Sequence, residues 1–100
     1  MNKDLKEKLT LIANHYGYEN QKEQTVEEMA ELMVALNKFK RYGKLQRKRR
    51  IDGIITELAD VIIMANQLSI LLDCEEEMNN EIEYKINRTL RNIEKEKIGG

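Results

Sequence analysis

Residues 26–36, VEEMAELMVAL, and residues 54–64, IITELADVIIM, decide how this chain is read. Each stretch sets two acidic residues three apart in a mostly apolar run: Glu28 and Glu31, then Glu57 and Asp60. On an α-helix, residues three apart share a face. Two such helices packed side by side bring four carboxylates towards one point.

Working outward, the composition supports helices on both sides of these stretches. Leu, Glu, Lys, Ala, Met, Gln and Arg dominate, proline is absent, and no β-branched alternation is present. That is the signature of an all-α chain. Its 100 residues make one domain, 41% hydrophobic and 35% charged, lean for an isolated monomer. The spacing of apolar residues predicts four helices, over about residues 2–15, 21–41, 51–72 and 74–96, and hence a four-helix bundle. Asn2 suits the start of the first helix and Gly17 its end. Gly43 reads as the hinge of a basic connection, and Asp73-Cys-Glu-Glu76 as a capping box opening the fourth helix. The third helix is apolar almost all round, which predicts a central, buried position. Covering it within 100 residues is hard, so a homodimer or homotetramer is expected.

On the helical wheel of the second helix, Glu28 borders an apolar arc formed by Phe39, Leu32, Leu36, Met29, Met33 and Val26. Glu27 faces the other way. Acidic pairs three apart are common in a chain with 18 Asp and Glu, and Asp4/Glu7 and Asp73/Glu76 share the spacing. What separates the two central pairs is their apolar setting, where carboxylates must be neutralised, paired or bound to metal. A buried salt-bridge network with Arg47 to Arg50 or Lys85 is one solution. A metal is the other. With one histidine and one cysteine in the chain, an all-carboxylate site suits Mg²⁺, with Mn²⁺ as a substitute.

The net charge of −1 hides a local contrast: residues 38–50 hold eight cations and no acid, while residues 73–83 are acidic. A general nucleic-acid footprint is therefore not expected, although the basic stretch offers a local anion site. The charged start and the lack of a long apolar run predict a cytoplasmic protein with no membrane segment.

Glu27-Glu28-x-x-Glu31, followed after 25 residues by Glu57-x-x-Asp60, resembles the signature of the MazG-like all-α nucleoside triphosphate pyrophosphohydrolases. The lead-in HYGYENQKEQTVEEMAEL and the ELADV block are similar to the small single-domain members, of phage and Firmicutes type. The resemblance covers about residues 12 to 93. It implies hydrolysis of an NTP or dNTP to the monophosphate and pyrophosphate, in nucleotide-pool housekeeping. By position it implies Glu28, Glu31, Glu57 and Asp60 as Mg²⁺ ligands, with the metal activating a water molecule and Glu27 or Glu28 assisting as base. It also implies assembly into oligomers. The family's fourth helix often carries Lys, then Asn four residues later, then Arg. Asn87 and Arg88 match the second half, but Glu83 stands where the lysine belongs, leaving Lys85 as the only nearby lysine.

Two further residues are placed to contact a nucleotide: Gln24, one turn before Glu28, and Lys38, two turns beyond Glu31. Gln21, three residues before Gln24, could equally reach a nucleotide, and surface polarity is the commoner reading of both glutamines. The rival to an enzyme is a non-enzymatic helical regulatory module that binds nucleic acid or nucleotide through residues 38–50.

Overall fold

A computed structural model of the chain describes residues 1–41 and 47–99. It contains four helices, α1 (Lys3–Tyr16), α2 (Tyr18–Arg41), α3 (Arg47–Leu71) and α4 (Glu75–Gly99). No strand occurs among the described residues. The all-α, four-helix expectation therefore holds. The hinge expected at Gly43 lies outside the described residues.

Local chemistry sets the helix ends. Asn2 is extended, and its side chain accepts a hydrogen bond from the Leu5 amide at 2.9 Å, which satisfies one open donor of the first turn. Gly17 is the single residue between α1 and α2. Its φ of 83° is a conformation that favours glycine, its N–H closes α1 on the Ala13 carbonyl, and its own carbonyl receives the Gln21 amide. α2 therefore starts at Tyr18, earlier than the spacing suggested.

The junction of α3 and α4 corrects the capping-box expectation. Cys74 N–H bonds the Ser69 carbonyl at 3.0 Å and Asp73 N–H bonds the Ile70 carbonyl at 3.1 Å. That pair of bonds is a Schellman closure, with Asp73 in the left-handed position at φ 51°. Asp73 thus ends α3 and does not cap α4. Glycine usually holds this position, and aspartate is among the few other residues that tolerate it.

α2 and α3 form the main packed pair, and α1 lies against both. The buried set is drawn from all three: Leu9 and Ala13 of α1, Gln21 and Thr25 of α2, and Met64, Gln67 and Ser69 of α3. Gln21 is not on the surface, as expected, but donates to the Gln67 side-chain oxygen at 2.7 Å inside this core. A buried amide needs such a partner, so this bond fixes the register of α2 on α3. α4 packs against α3 among the described helices and is tied to α1 through Lys6–Glu75 at 3.1 Å. It buries no residue.

Much apolar surface is left open. Val26, Met29 and Met33 on α2, Ile55 and Ile62 on α3, and Ile86 and Leu90 on α4 are each more than half exposed. The buried central helix expected at α3 is central in position but not covered by this chain. The radius of gyration is 17.3 Å, against about 13 Å for a compact domain of this length. α3 is long and apolar enough to cross a bilayer by length and composition, a test that core helices of water-soluble proteins also pass. The same window contains Glu57 and Asp60, and α3 packs against the other three helices.

Replacing Asp73 by glycine should relieve the left-handed backbone and raise stability by about 0.5–1 kcal/mol, whereas Asp73→Val should lower it by about 1–2 kcal/mol. Denaturant melts of the two variants give the order, and a capping role for Asp73 would reverse the glycine result.

Candidate metal centre

The seam between α2 and α3 brings the acidic pairs together. Glu28 and Glu31 lie one turn apart on α2, and Glu57 projects from α3 so that one carboxylate oxygen of each falls within 4.8 Å of the others. Asp60, one turn beyond Glu57, lies near enough for its charge to act on both Glu28 and Glu57. Glu28, Glu57 and Asp60 are half-buried, while Glu31 opens to solvent. The four residues singled out by spacing therefore share one site.

Gln24 meets Glu28 directly, donating from Nε2 to Oε1 at 2.8 Å. It orients that carboxylate along the helix. The second oxygen, Oε2 of Glu28, is buried with no hydrogen-bond partner, and so is Oε2 of Glu57. Buried unpaired carboxylate oxygens are costly and ask for a partner. None of the described ion pairs involves Glu28, Glu31, Glu57 or Asp60. Lys85, one proposed partner of a salt-bridge network, instead pairs with Glu81 at 3.7 Å.

The titration of the cluster follows from this crowding. The Gln24 amide favours the charged form of Glu28, but lost solvation and the charges of Glu31 and Asp60 outweigh it, and its pKa rises above the ordinary 4.5. Lost solvation pushes Glu57 up as well, followed by the charges of Glu31 and Glu28. Both shifts are those of crowded, partly desolvated like charges. An all-oxygen donor set with two orphaned oxygens fits a hard divalent ion. The 4.8 Å span is on the scale of the oxygen shell around Mg²⁺ or Ca²⁺, about 4–5 Å across.

Beside the carboxylates runs an open cleft of about 450 Å³ between α2 and α3, lined by Glu31 and Glu57 together with Lys38, Arg49, Arg50 and Gly53. Lys38 thus lies in the same cleft as the acids. Glu27 does not. It lines a separate groove with Tyr16, Asn20, Gln21, Glu23 and Gln24, as its position on the wheel implied. Lys85, Asn87 and Arg88 sit exposed on α4 and do not line the cleft, and Arg88 lies over the Tyr84 ring at 5.6 Å. Arg49 and Arg50, legible in the sequence as part of the basic stretch, line this cleft, whereas Gly53 carried no signal of its place there.

Comparison of the chain with protein-family models, with curated proteins and with solved structures finds no match.

Glu57→Gln tests the charge crowding without any ligand. Glu28 and Glu57 bind protons more tightly in the folded chain than in the unfolded one. Their contribution to stability is therefore fully present below pH 4.5 and declines as pH rises from there through their raised values. The variant should be more stable than wild type at pH 7 in EDTA and show a shallower decline across that window. A metal-free variant melting at or below wild type at pH 7 would show that the cluster is already balanced.

Proposed function

We propose that this chain is a Mg²⁺-dependent nucleoside triphosphate pyrophosphohydrolase of MazG-like type, converting an NTP or dNTP to the monophosphate and pyrophosphate. The observation that carries the reading is the meeting of Glu28, Glu31, Glu57 and Asp60, with two buried oxygens unpartnered and a cation-lined cleft adjoining. The salt-bridge alternative through Lys85 is disfavoured, because Lys85 pairs with Glu81 on its own helix.

Glu28, Glu31, Glu57 and Asp60 would hold Mg²⁺, or Mn²⁺ in its place. Bound there, a hard divalent cation neutralises phosphate oxygens and makes water more acidic. Gln24 keeps the Glu28 carboxylate turned into the site. Of the two candidate bases, Glu28 is favoured over Glu27, because it lies in the cluster while Glu27 lines a separate groove. In the reaction, a water oxygen bonds to the α-phosphorus while the α–β bridging bond breaks. Pyrophosphate leaves with the bridging oxygen, and the water proton passes to Oε2 of Glu28 and on to solvent.

The reading includes a homodimer or homotetramer. A compact monomer of 11.8 kDa exposes about 5,900 Å². This chain exposes 8,229 Å², an excess of about 2,300 Å² concentrated on apolar helix faces. That excess is the share one subunit contributes to an obligate interface. A second copy of the chain, bringing the same apolar faces, is the occupant proposed for this surface. Within one chain Lys85, Asn87 and Arg88 do not reach the cleft, so any contact they make with nucleotide belongs to the assembly.

Pyrophosphate release from a panel of canonical and modified NTPs and dNTPs should require Mg²⁺, stop in EDTA, and fall at least about a hundredfold in Glu57→Gln. No release from any nucleotide by folded protein would sink the enzyme reading. Nucleic-acid affinity that falls steeply with salt and survives Glu57→Ala would favour the rival binding module. Light scattering should give at least twice the 11.8 kDa chain mass, and Ile86→Glu with Leu90→Glu should reduce it to one.

A further inference from the structure

The cleft has two chemically different ends. Glu31 and Glu57 form one, while Lys38 near the end of α2 and Arg49 and Arg50 in the first turns of α3 form the other. Neither Lys38 nor Arg49 makes an ion pair among the described residues, and both are exposed. Lys38 and Arg49, brought to one cleft from two helices beside the positive end of the α3 dipole, repel one another unless an anion sits between them.

Gly53 adds an independent observation. It lies inside α3, where glycine costs about 0.5–1 kcal/mol relative to alanine. A Cβ added there would meet nothing within 4 Å, so packing inside this chain gives no reason for a glycine. It also lines the cleft. A residue without a side chain on a cleft wall lets a ligand approach the backbone closely.

We infer that the cleft seats a phosphate chain against Lys38, Arg49, Arg50 and the bare backbone at Gly53, so that the leaving pyrophosphate is held by the cationic end. This rests on the pyrophosphohydrolase reading for its orientation, and it assigns Arg49, Arg50 and Gly53 a role that the acidic motifs do not contain. Arginine suits the task because its planar fork can engage two phosphate oxygens at once. The seat matches the two phosphates that an NTP or dNTP carries beyond the one attacked. A monophosphate leaves the cationic end unfilled.

Calorimetric titration with inorganic pyrophosphate, in Mg²⁺ and in EDTA, tests this without turnover. Lys38→Gln and Arg49→Gln should each weaken pyrophosphate binding about tenfold and lower its salt dependence, with a much smaller effect on a nucleoside monophosphate. Both residues are exposed, so melting curves should stay at wild type. Gly53→Ala should make the helix more stable while weakening pyrophosphate binding, a combination that a merely structural glycine would not give. Unchanged pyrophosphate affinity in Lys38→Gln and Arg49→Gln would overturn the inference. Glu57→Gln, run in parallel, keeps the two readings apart. If Mg²⁺ fails to stabilise wild type while Lys38 and Arg49 still govern pyrophosphate binding, the metal reading falls and the phosphate seat stands. If Mg²⁺ stabilisation is lost in Glu57→Gln but the cation variants bind normally, the reverse holds.

Discussion

Like charge held at a helix seam is the constraint on which the rest of this structure turns. α2 and α3 must pack because they carry the chain's main apolar faces, yet packing them forces Glu28, Glu31, Glu57 and Asp60 together. Lost solvation and mutual repulsion raise the pKa of two of the four, and the bond from Gln24 to Glu28 offsets only part of this. The register is not free to slip and relieve the strain. Gln21 and Gln67 share a buried hydrogen bond along the same seam, and sliding one helix past the other would orphan both amides. A polar bond in the core thus holds an unfavourable cluster in place a short distance away.

The acidic pairs were legible in the sequence because period and setting agreed: carboxylates three apart within apolar runs can only face a neighbour. Helix ends were legible where one residue type decides them, as at Asn2 and Gly17. Asp73 was misread because aspartate serves both as an N-terminal cap and as a tolerated left-handed residue, and only the bonds from Asp73 and Cys74 back to α3 distinguish the two. Gln21 was misread for a related reason. A single glutamine looks like surface until its partner, 46 residues away, is known to be packed against it. Arg49 was legible as a cation of the basic stretch but not as a wall of the acidic cleft, because α3 begins at Arg47, a turn earlier than expected. Gly53 was hidden because a glycine early in a helix does not show what it faces.

The covered core is small for a chain of this length, with Leu9, Ala13 and Met64 its only buried hydrophobic residues among those described. α4 contributes least, since it buries nothing and is held by α3 and one exposed ion pair worth at most about 1 kcal/mol. A 25-residue helix with an apolar stripe at Ile82, Ile86, Leu90 and Ile93 gains little from helix propensity alone. Its stability has to come from burying that stripe, which relates the exposed faces of α2, α3 and α4 to a single cause.

The charge arrangement of the cleft also limits what can occupy it. A bare cation is drawn to the carboxylates and repelled by Lys38, Arg49 and Arg50, while a bare anion meets the opposite pattern. Across a cleft of about 450 Å³ these charges lie within roughly one Debye length of one another, so neither end is screened from a ligand at the other. A ligand carrying both signs in order, a divalent ion followed by a chain of phosphates, satisfies the two ends together. Each half then lowers the cost of binding the other, because the ion relieves the repulsion felt by the phosphates and the phosphates supply oxygen ligands to the ion. Neutralising either end alone removes that coupling as well as its own contacts. On the proposed reading, selectivity for the paired ligand over either component would be a property of the whole seam and not of any one residue in it.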